Sequence, residues 1–261
     1  MQKDERNRIH LLTDERREHI ITALRRDGRV LAADLSKTLG VSDDTIRRDL
    51  DTLAEMGLLQ RVHGGALWRA RLNDDYTARQ GEDVAAKQSI AQATAALIRP
   101  GQVVILDGGT TSLAVAQHLP QKLEATVITT SPQVAVALAA YPGIEVITIG
   151  GRLYRYAMVA IGASTIAALR GIRADLCILG VLALHPELGI SVIDREEAAV
   201  KQAMIEGAVD VVAPTTQSKL GTVAPFIVGP TSTLTHLVTE SEVSEETLAP
   251  YRALGLTVIQ V

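Results

Sequence analysis

A chain of 261 residues with 47% hydrophobic and 21% charged side chains has the balance of a folded globular protein, long enough for two domains. Aromatics make up only 3%, with one Trp and one Phe, so the core must be built from Ala, Val, Ile and Leu, the residues that fill helix-covered parallel sheets. The net charge of −4 excludes nucleic-acid binding driven by overall charge, and a single cysteine excludes a disulfide framework or a Cys-rich zinc site. That cysteine, Cys177, lies in the apolar run LCILGV and reads as a small buried side chain. Met1 opens a polar, charge-rich segment, and no run approaches the roughly 18 apolar residues of a membrane span, so a cytoplasmic protein with no membrane partner is expected. His10, His19, His63, His118, His185 and His236 show no ligand spacing, and neither a metal nor a cofactor is expected.

From the N-terminus, TDERREHIITALRRDG predicts a first helix capped at Thr13 or Asp14, with Ile20, Ile21 and Leu24 on one face and a stop at Gly28. LAADLSKTLG places Leu31, Leu35 and Leu39 four apart and predicts a short second helix ending at Gly40. VSDDTIRRDLDTLAEMG predicts a third, with Ser42 as N-cap and Asp43 and Asp44 at its positive end. Its Ile46, Leu50 and Leu53 share one stripe, which turns Asp44, Thr45, Arg48, Asp51 and Thr52 outward and sets Arg47 on the flank. After Gly57, LLQRVHGGALW alternates around Gly64 and Gly65 and predicts a two-stranded wing.

Two short helices and a capped helix with arginines outside suit a recognition helix for the major groove. Arginine forks onto guanine edges or clamps phosphates, and Ser and Thr reach either. The local charge is modest: residues 59–71 carry Arg61, Arg69, Arg71 and His63 with no acid, while residues 1–82 balance 15 basic against 15 acidic side chains. The alternative from pattern alone is a three-helix packing module with a solvated arginine face, Arg47 bound to an acid of its own domain and His63 satisfying a turn. The run VSDDTIRRDLDTLAEMGLLQRVHGGA, residues 41–66, resembles the signature of the DeoR family of bacterial regulators, both at VSxxTIRRDL and at RVHGGA. The resemblance implies that Ser42, Thr45, Arg47 and Arg48 lie on the recognition helix and Arg61 and His63 on the wing, with operator DNA as partner.

A polar stretch, ARLNDDYTARQGED, then separates the charged helical part from an Ala/Val/Ile/Gly-rich remainder. Residues 1–70 are expected to form a winged helix-turn-helix, 71–82 a linker and 83–261 a larger, Rossmann-like, mostly parallel α/β domain. In that remainder VVILD, TVITT, EVITIG, LCILGV, DVVAP and LTVIQV read as strands alternating with helical stretches. LDGGTTS, residues 106–112, stands at the end of the first strand directly before a helix. Its glycines let backbone N–H groups converge on an anion while Thr110, Thr111 and Ser112 add hydroxyls. It is neither a Walker A loop nor GxGxxG, and a plain tight turn reads equally well. Other strand ends offer Thr129, Thr130 and Ser131, the pair Gly150 and Gly151, and Ser218-Lys219-Leu220-Gly221. In GISVIDREEAAVKQAM, Asp194, Glu197 and Lys201 fall on one side of a helix, either binding sugar hydroxyls and phosphate or forming an ordinary exposed ion pair.

DGGTT, GG, EEAAVKQAMI and SKLG also occur in the order seen in DeoR-family sensor domains, which resemble the ribose-5-phosphate isomerase fold and bind sugar phosphates or related intermediates. The resemblance implies Asp107, Gly109, Thr110 and Thr111 for the phosphate loop, Gly151 at the glycine pair, and Glu197, Lys201 and Lys219 around the effector. The chain departs from the pattern at Thr216, where Asp is common, and at Leu220, where Phe is. The expected protein is thus a repressor of a carbohydrate operon under a phosphorylated metabolite, forming a homo-oligomer, dimer or tetramer, on paired half-sites. The competing reading is a sugar-phosphate isomerase-like enzyme using Asp107, Glu197 or Lys219 as acid or base.

Overall fold

The computed structural model describes residues 12–68 and 76–261. His10, Arg69, Arg71 and the start of the expected linker, residues 71–75, lie outside the described residues. The chain divides into two compact units, residues 1–71 with 221–223, and residues 72–220 with 224–261. Among the described residues no helix is long and apolar enough to cross a membrane, and no group of three metal-binding side chains gathers.

The smaller unit runs α1 (Thr13–Asp27), β1 (Arg29–Leu31), α2 (Ala32–Leu39), α3 (Asp43–Glu55), β2 (Leu59–Val62) and β3 (Gly65–Trp68). The cap of α1 differs from expectation: Leu12 is the N-cap, and its N–H is satisfied by the Glu15 carboxylate at 2.9 Å. Leu31 does not begin the second helix. It closes the short strand β1, half its surface in water, and β1 pairs antiparallel with β3, so the wing is a three-stranded sheet in the order β1-β3-β2. Gly65 is required by that pairing, because a β-carbon there would overlap the Val30 carbonyl. The core joins Ile20 and Leu24 of α1, Leu35 of α2, Ile46, Leu50 and Leu53 of α3, and Leu59 and Trp68 of the wing. Each such side chain contributes about 1.5–3 kcal/mol of burial.

The larger unit opens with α4 (Tyr76–Gln80), a helix inside the segment expected as linker, and continues with α5 (Val84–Ala95), β4 (Val103–Leu106), α6 (Thr110–Gln117), β5 (Ala125–Thr129), α7 (Pro132–Leu138) and β6 (Ile144–Thr148). It proceeds through β7 (Arg152–Tyr154), β8 (Val159–Ile161), α8 (Ala163–Arg170), β9 (Ala174–Ile178), β10 (Ala183–His185), β11 (Gly189–Val192) and α9 (Arg195–Glu206). The last elements are β12 (Ala208–Pro214), β13 (Phe226–Gly229), β14 (His236–Thr239), α10 (Glu245–Ala253) and β15 (Thr257–Gln260). Seven strands form one sheet in the order β15-β14-β12-β9-β4-β5-β6, every pair parallel. Apolar side chains cover both faces, among them Ile105, Cys177 and Val211 on one and Val104, Leu176 and Val212 on the other. This is the arrangement expected of strands that alternate with helices. A small antiparallel sheet, β10-β11-β13, stands apart from it.

The strand order also opens a crevice. From the central pair β4–β9 the chain works outward in both directions, through β5 and β6 on one side and β12, β14 and β15 on the other. Connections leaving β4 and β9 therefore diverge and open a gap at their carboxyl ends, where open α/β sheets bind ligands.

Candidate functional site

Two regions gather the residues singled out by the sequence. In the smaller unit α3 is held from below and free above. Ser42 caps it, accepting from the Thr45 N–H at 3.2 Å, and the two hydroxyls lie 2.9 Å apart. On the inner side Asp49, 3% exposed, receives Arg16 Nε at 2.5 Å and Arg17 Nε at 3.1 Å, and Arg17 also donates to Thr52. These bonds tie α3 to α1. On the outer side Arg47 is exposed and makes no ion pair among the described residues. Arg48 pairs with Asp44 at 2.7 Å, with side chains 80% and 68% exposed. So open a pair is worth about 0–1 kcal/mol and yields readily to a better anion.

The wing residues divide. His63 is exposed in the two-residue turn between β2 and β3, with Gly64 beside it at φ +78°. Arg61 is committed inward, with Nε 2.8 Å from Asp51 and Nη1 bonded to the Gly65 carbonyl, so it clasps the wing to α3.

In the larger unit the crevice between β4 and β9 is braced by a buried charge pair. Asp107, at the end of β4, accepts from the Gly108 N–H at 2.7 Å, from the Gly180 N–H at 2.9 Å, and from Lys201 Nζ on α9. Lys201 also donates to the Gly180 carbonyl at 2.8 Å and lies 3.6 Å from Glu197. Both its carboxylate neighbours and Lys201 itself are 7% exposed or less at the side chain, so these are not the exposed ion pairs the sequence allowed. Burial works against the Lys201 ammonium, but Asp107 and Glu197 outweigh it and hold its pKa above the ordinary lysine value. Burial raises the Glu197 pKa, with Lys201 pulling the other way. Asp194, expected on the same face, is instead the N-cap of α9, accepting the Glu197 N–H at 2.9 Å. Gly180 fits only as glycine, since a β-carbon would stand 2.6 Å from the Gly108 carbonyl and 3.0 Å from Asp107.

The loop that follows turns at Gly109, with φ +100°, and starts α6 at Thr110. The first-turn N–H groups of α6 have no carbonyl partner inside the helix, and its dipole favours an anion there. Beside them the hydroxyls of Thr111 and Ser112, and that of Thr130 at the end of the neighbouring β5, are buried without a hydrogen-bond partner, as is one carboxylate oxygen of Glu197. An unmade bond of this kind costs about 1–3 kcal/mol. Lys219 is half-buried after β12. Its pKa is pushed down to about 8 by burial and then by the positive fields of Lys87, Arg79 and Lys201, against which Asp83 acts weakly. Gly151 sits in the β6–β7 loop against Thr165 and the Ile161 carbonyl, where close packing requires glycine.

Comparison with known proteins follows the same division. Residues 16–70 match the model of the DeoR-like helix-turn-helix domain, and residues 82–241 match that of the DeoR C terminal sensor domain. The chain belongs to the DeoR family. It is 32% identical over 253 residues to the putative aga operon transcriptional repressor of Escherichia coli O157:H7, covering 95% of this chain and 94% of that protein. It is 35% identical to the HTH-type transcriptional repressor GlcR of Bacillus subtilis, covering 80% and 81%, and 31% identical to the glycerol-3-phosphate regulon repressor of Escherichia coli K12, covering 87% and 90%. As a DeoR-family member the protein is a DNA-binding transcription regulator and not an enzyme, which removes the isomerase reading.

Four residues of this DeoR-family chain carry little signal in the sequence. Asp49 lies within RRDL, where a single acid beside two arginines looks solvated. Gly180 closes an apolar run, and a glycine closing a strand signals close backbone approach. Arg79 and Lys87 fall in or beside a polar stretch whose composition resembles a linker. Lys87 is 7% exposed and donates to the Arg79 and Glu82 carbonyls at 2.5 and 2.6 Å.

Proposed function

We propose that this DeoR-family regulator represses a carbohydrate operon and that a phosphorylated sugar or related metabolite, bound in the β4–β9 crevice, controls it. The observation that carries the effector reading is the set of unpartnered buried hydroxyls of Thr111, Ser112 and Thr130 at a helix start within the field of crowded lysines. A dianionic phosphate answers both needs at once, accepting the N–H and hydroxyl bonds and relieving the cationic repulsion. In this reading Gly109, Thr110 and Thr111 cradle the phosphate, Lys219 neutralises it and Glu197 meets a sugar hydroxyl. Asp107 and Lys201 act as positioning residues, because their polar atoms are already engaged with each other and with Gly180. The names of the relatives, which include a glycerol-3-phosphate regulon repressor, support a small phosphorylated effector.

For DNA, α3 enters the major groove with Arg47 and Arg48 outward and Ser42 and Thr45 at its start, and His63 lies along the neighbouring backbone while Arg61 holds the wing against α3. Recognition of paired half-sites calls for a homo-oligomer, a dimer or tetramer. Anisotropy titration of operator DNA from the adjoining operon, with and without a panel of sugar phosphates, tests the whole reading. Arg48→Ala is expected to weaken operator binding and leave effector affinity intact, and Lys219→Ala to do the reverse. Operator affinity indifferent to every phosphate in the panel would overturn the effector assignment.

A further inference from the structure

We propose that Glu240 is the positioning residue for Lys219: its carboxylate, carried on the neighbouring strand end, caps the turn that presents the lysine to the effector. The inference rests on the phosphate reading above. Lys219 closes the one-turn 3-10 helix Gln217–Lys219, which follows β12. Because β12 pairs in parallel with β9, and β9 with β4, this turn leaves the sheet at the same end as Gly180 and Asp107. The turn needs a cap. Thr216 stands at the N-cap position, but its side chain makes no capping bond and its hydroxyl lies 3.0 Å from that of Ser218. The first N–H of a helical turn has no partner within the turn. Here the Gln217 N–H donates instead to both carboxylate oxygens of Glu240, at 3.1 Å and 2.8 Å. A hydrogen bond to an ionised acceptor is about twice as strong as one between neutral groups.

Strand register explains how an acid from the next strand reaches this turn. β14 pairs in parallel with β12, with Pro214 opposite Val238, so Glu240 comes level with Thr216 just beyond the strand ends. The Thr215 N–H donates to the Val238 carbonyl at 2.9 Å and carries the pairing up to the turn. Glu240 is itself held in place. The Thr239 hydroxyl donates to its Oε2 at 2.8 Å, and the Ser241 N–H donates to the Val261 carbonyl at 2.8 Å. The Gln260 side-chain amide donates to the carbonyls of Ser241 and Val243, at 3.2 Å and 3.0 Å. The far end of the turn is anchored too, since Leu220, 6% exposed, bridges to Leu184 of β10. With both ends fixed, the Lys219 backbone is set before an anion arrives, which lowers the entropy lost on binding. Both Glu240 oxygens already accept these bonds, so its part is to hold the turn, and the anion falls to Lys219.

Calorimetry of the full chain with glycerol 3-phosphate, ribose 5-phosphate and inorganic phosphate tests this in the wild type, Glu240→Ala, Lys219→Ala and the double variant. For the probe that the wild type binds most tightly, Glu240→Ala is expected to weaken affinity by about tenfold, the loss of one charge-assisted bond. In the Lys219→Ala background the same substitution is expected to cost less than about twofold, because the turn then carries no lysine to position. Glu240→Gln, which keeps an acceptor oxygen for the Gln217 N–H, is expected to stay within about threefold of wild type. A loss of similar size in both backgrounds would overturn the inference and leave the phosphate reading standing, and so would wild-type affinity in Glu240→Ala. Glu240→Gln as weak as Glu240→Ala would overturn it as well, since charge and not the cap would then be at work. Should no probe bind the wild type, or should Lys219→Ala bind as the wild type does, the phosphate reading of Lys219 fails and this inference with it.

Discussion

The two units place their charges in opposite settings. On α3 the ions that face outward are wet: Arg48 and Asp44 are 80% and 68% exposed, and Arg47 makes no ion pair among the described residues. In the sensor crevice the ions are dry, with the Lys201 and Asp107 side chains 5% and 2% exposed. A solvated arginine is cheap to hold and free to exchange water for a phosphate or a base edge, which suits a surface that must bind and release a long polyanion. A buried lysine bonded on all sides cannot exchange anything. It serves as a brace that fixes the backbone where a small ligand must be met with directional bonds. Exposure therefore separates charges free to exchange partners from charges that brace the fold, and the smaller unit holds both, since Asp49 is buried against Arg16 and Arg17.

The sharpest way to break this contrast is Lys201→Met. It strands the Asp107 carboxylate in the crevice and is expected to destabilise the larger unit by about 3–5 kcal/mol, seen in urea denaturation. If stability changed by no more than a surface substitution would cause, the brace would be wrong. Asp49→Ala is expected to cost about 1.5–3 kcal/mol in the smaller unit, since Arg16 and Arg17 lose their acceptor, and to loosen α3 from α1, visible as faster amide exchange along α3. Arg48→Ala is expected to weaken operator binding by about 1–3 kcal/mol, roughly fivefold to 150-fold, with a melting temperature near wild type. A large loss of stability would instead place that arginine in the fold.

The smallest effect sharpens the comparison through pH. With the Lys219 pKa near 8, affinity for a sugar phosphate is expected to fall about tenfold between pH 7 and pH 9 as the ammonium titrates, the phosphate staying dianionic throughout. The sign for folding is the reverse. A lysine whose folded pKa lies below the unfolded 10.5 opposes folding fully below about pH 8, and that opposition fades as pH rises through the interval. Phosphate affinity flat across this range in calorimetry would remove Lys219 from the binding site.

Much of the architecture was legible in the pattern. The Ser42 cap, the Ile46, Leu50 and Leu53 stripe, and the hairpin around Gly64 are local features set by residues within a turn or two of each other. Six of the seven strands of the main sheet stood out as β-branched runs. The seventh, β14 (His236–Thr239), did not, because four residues between polar neighbours carry too little periodicity. Strand β1 was missed for a related reason: three residues next to a helix start take their conformation from the wing they pair with. The short helix α4 was hidden by a polar composition that suits a linker as well as a helix.

By itself the sequence determined the family, the order of a winged helix and a parallel α/β unit, and a glycine turn before α6, because caps, periodicity and glycine placement act over short spans of chain. Tertiary structure decided which charges are buried and which stay in water. Lys201 and Asp107 are 94 positions apart, and Asp107 and Gly180 are 73 apart. Only the parallel crossover that sets β9 beside β4 buries them together, which is why a pair that pattern alone allowed to be solvated is dry and bonded to the strand ends.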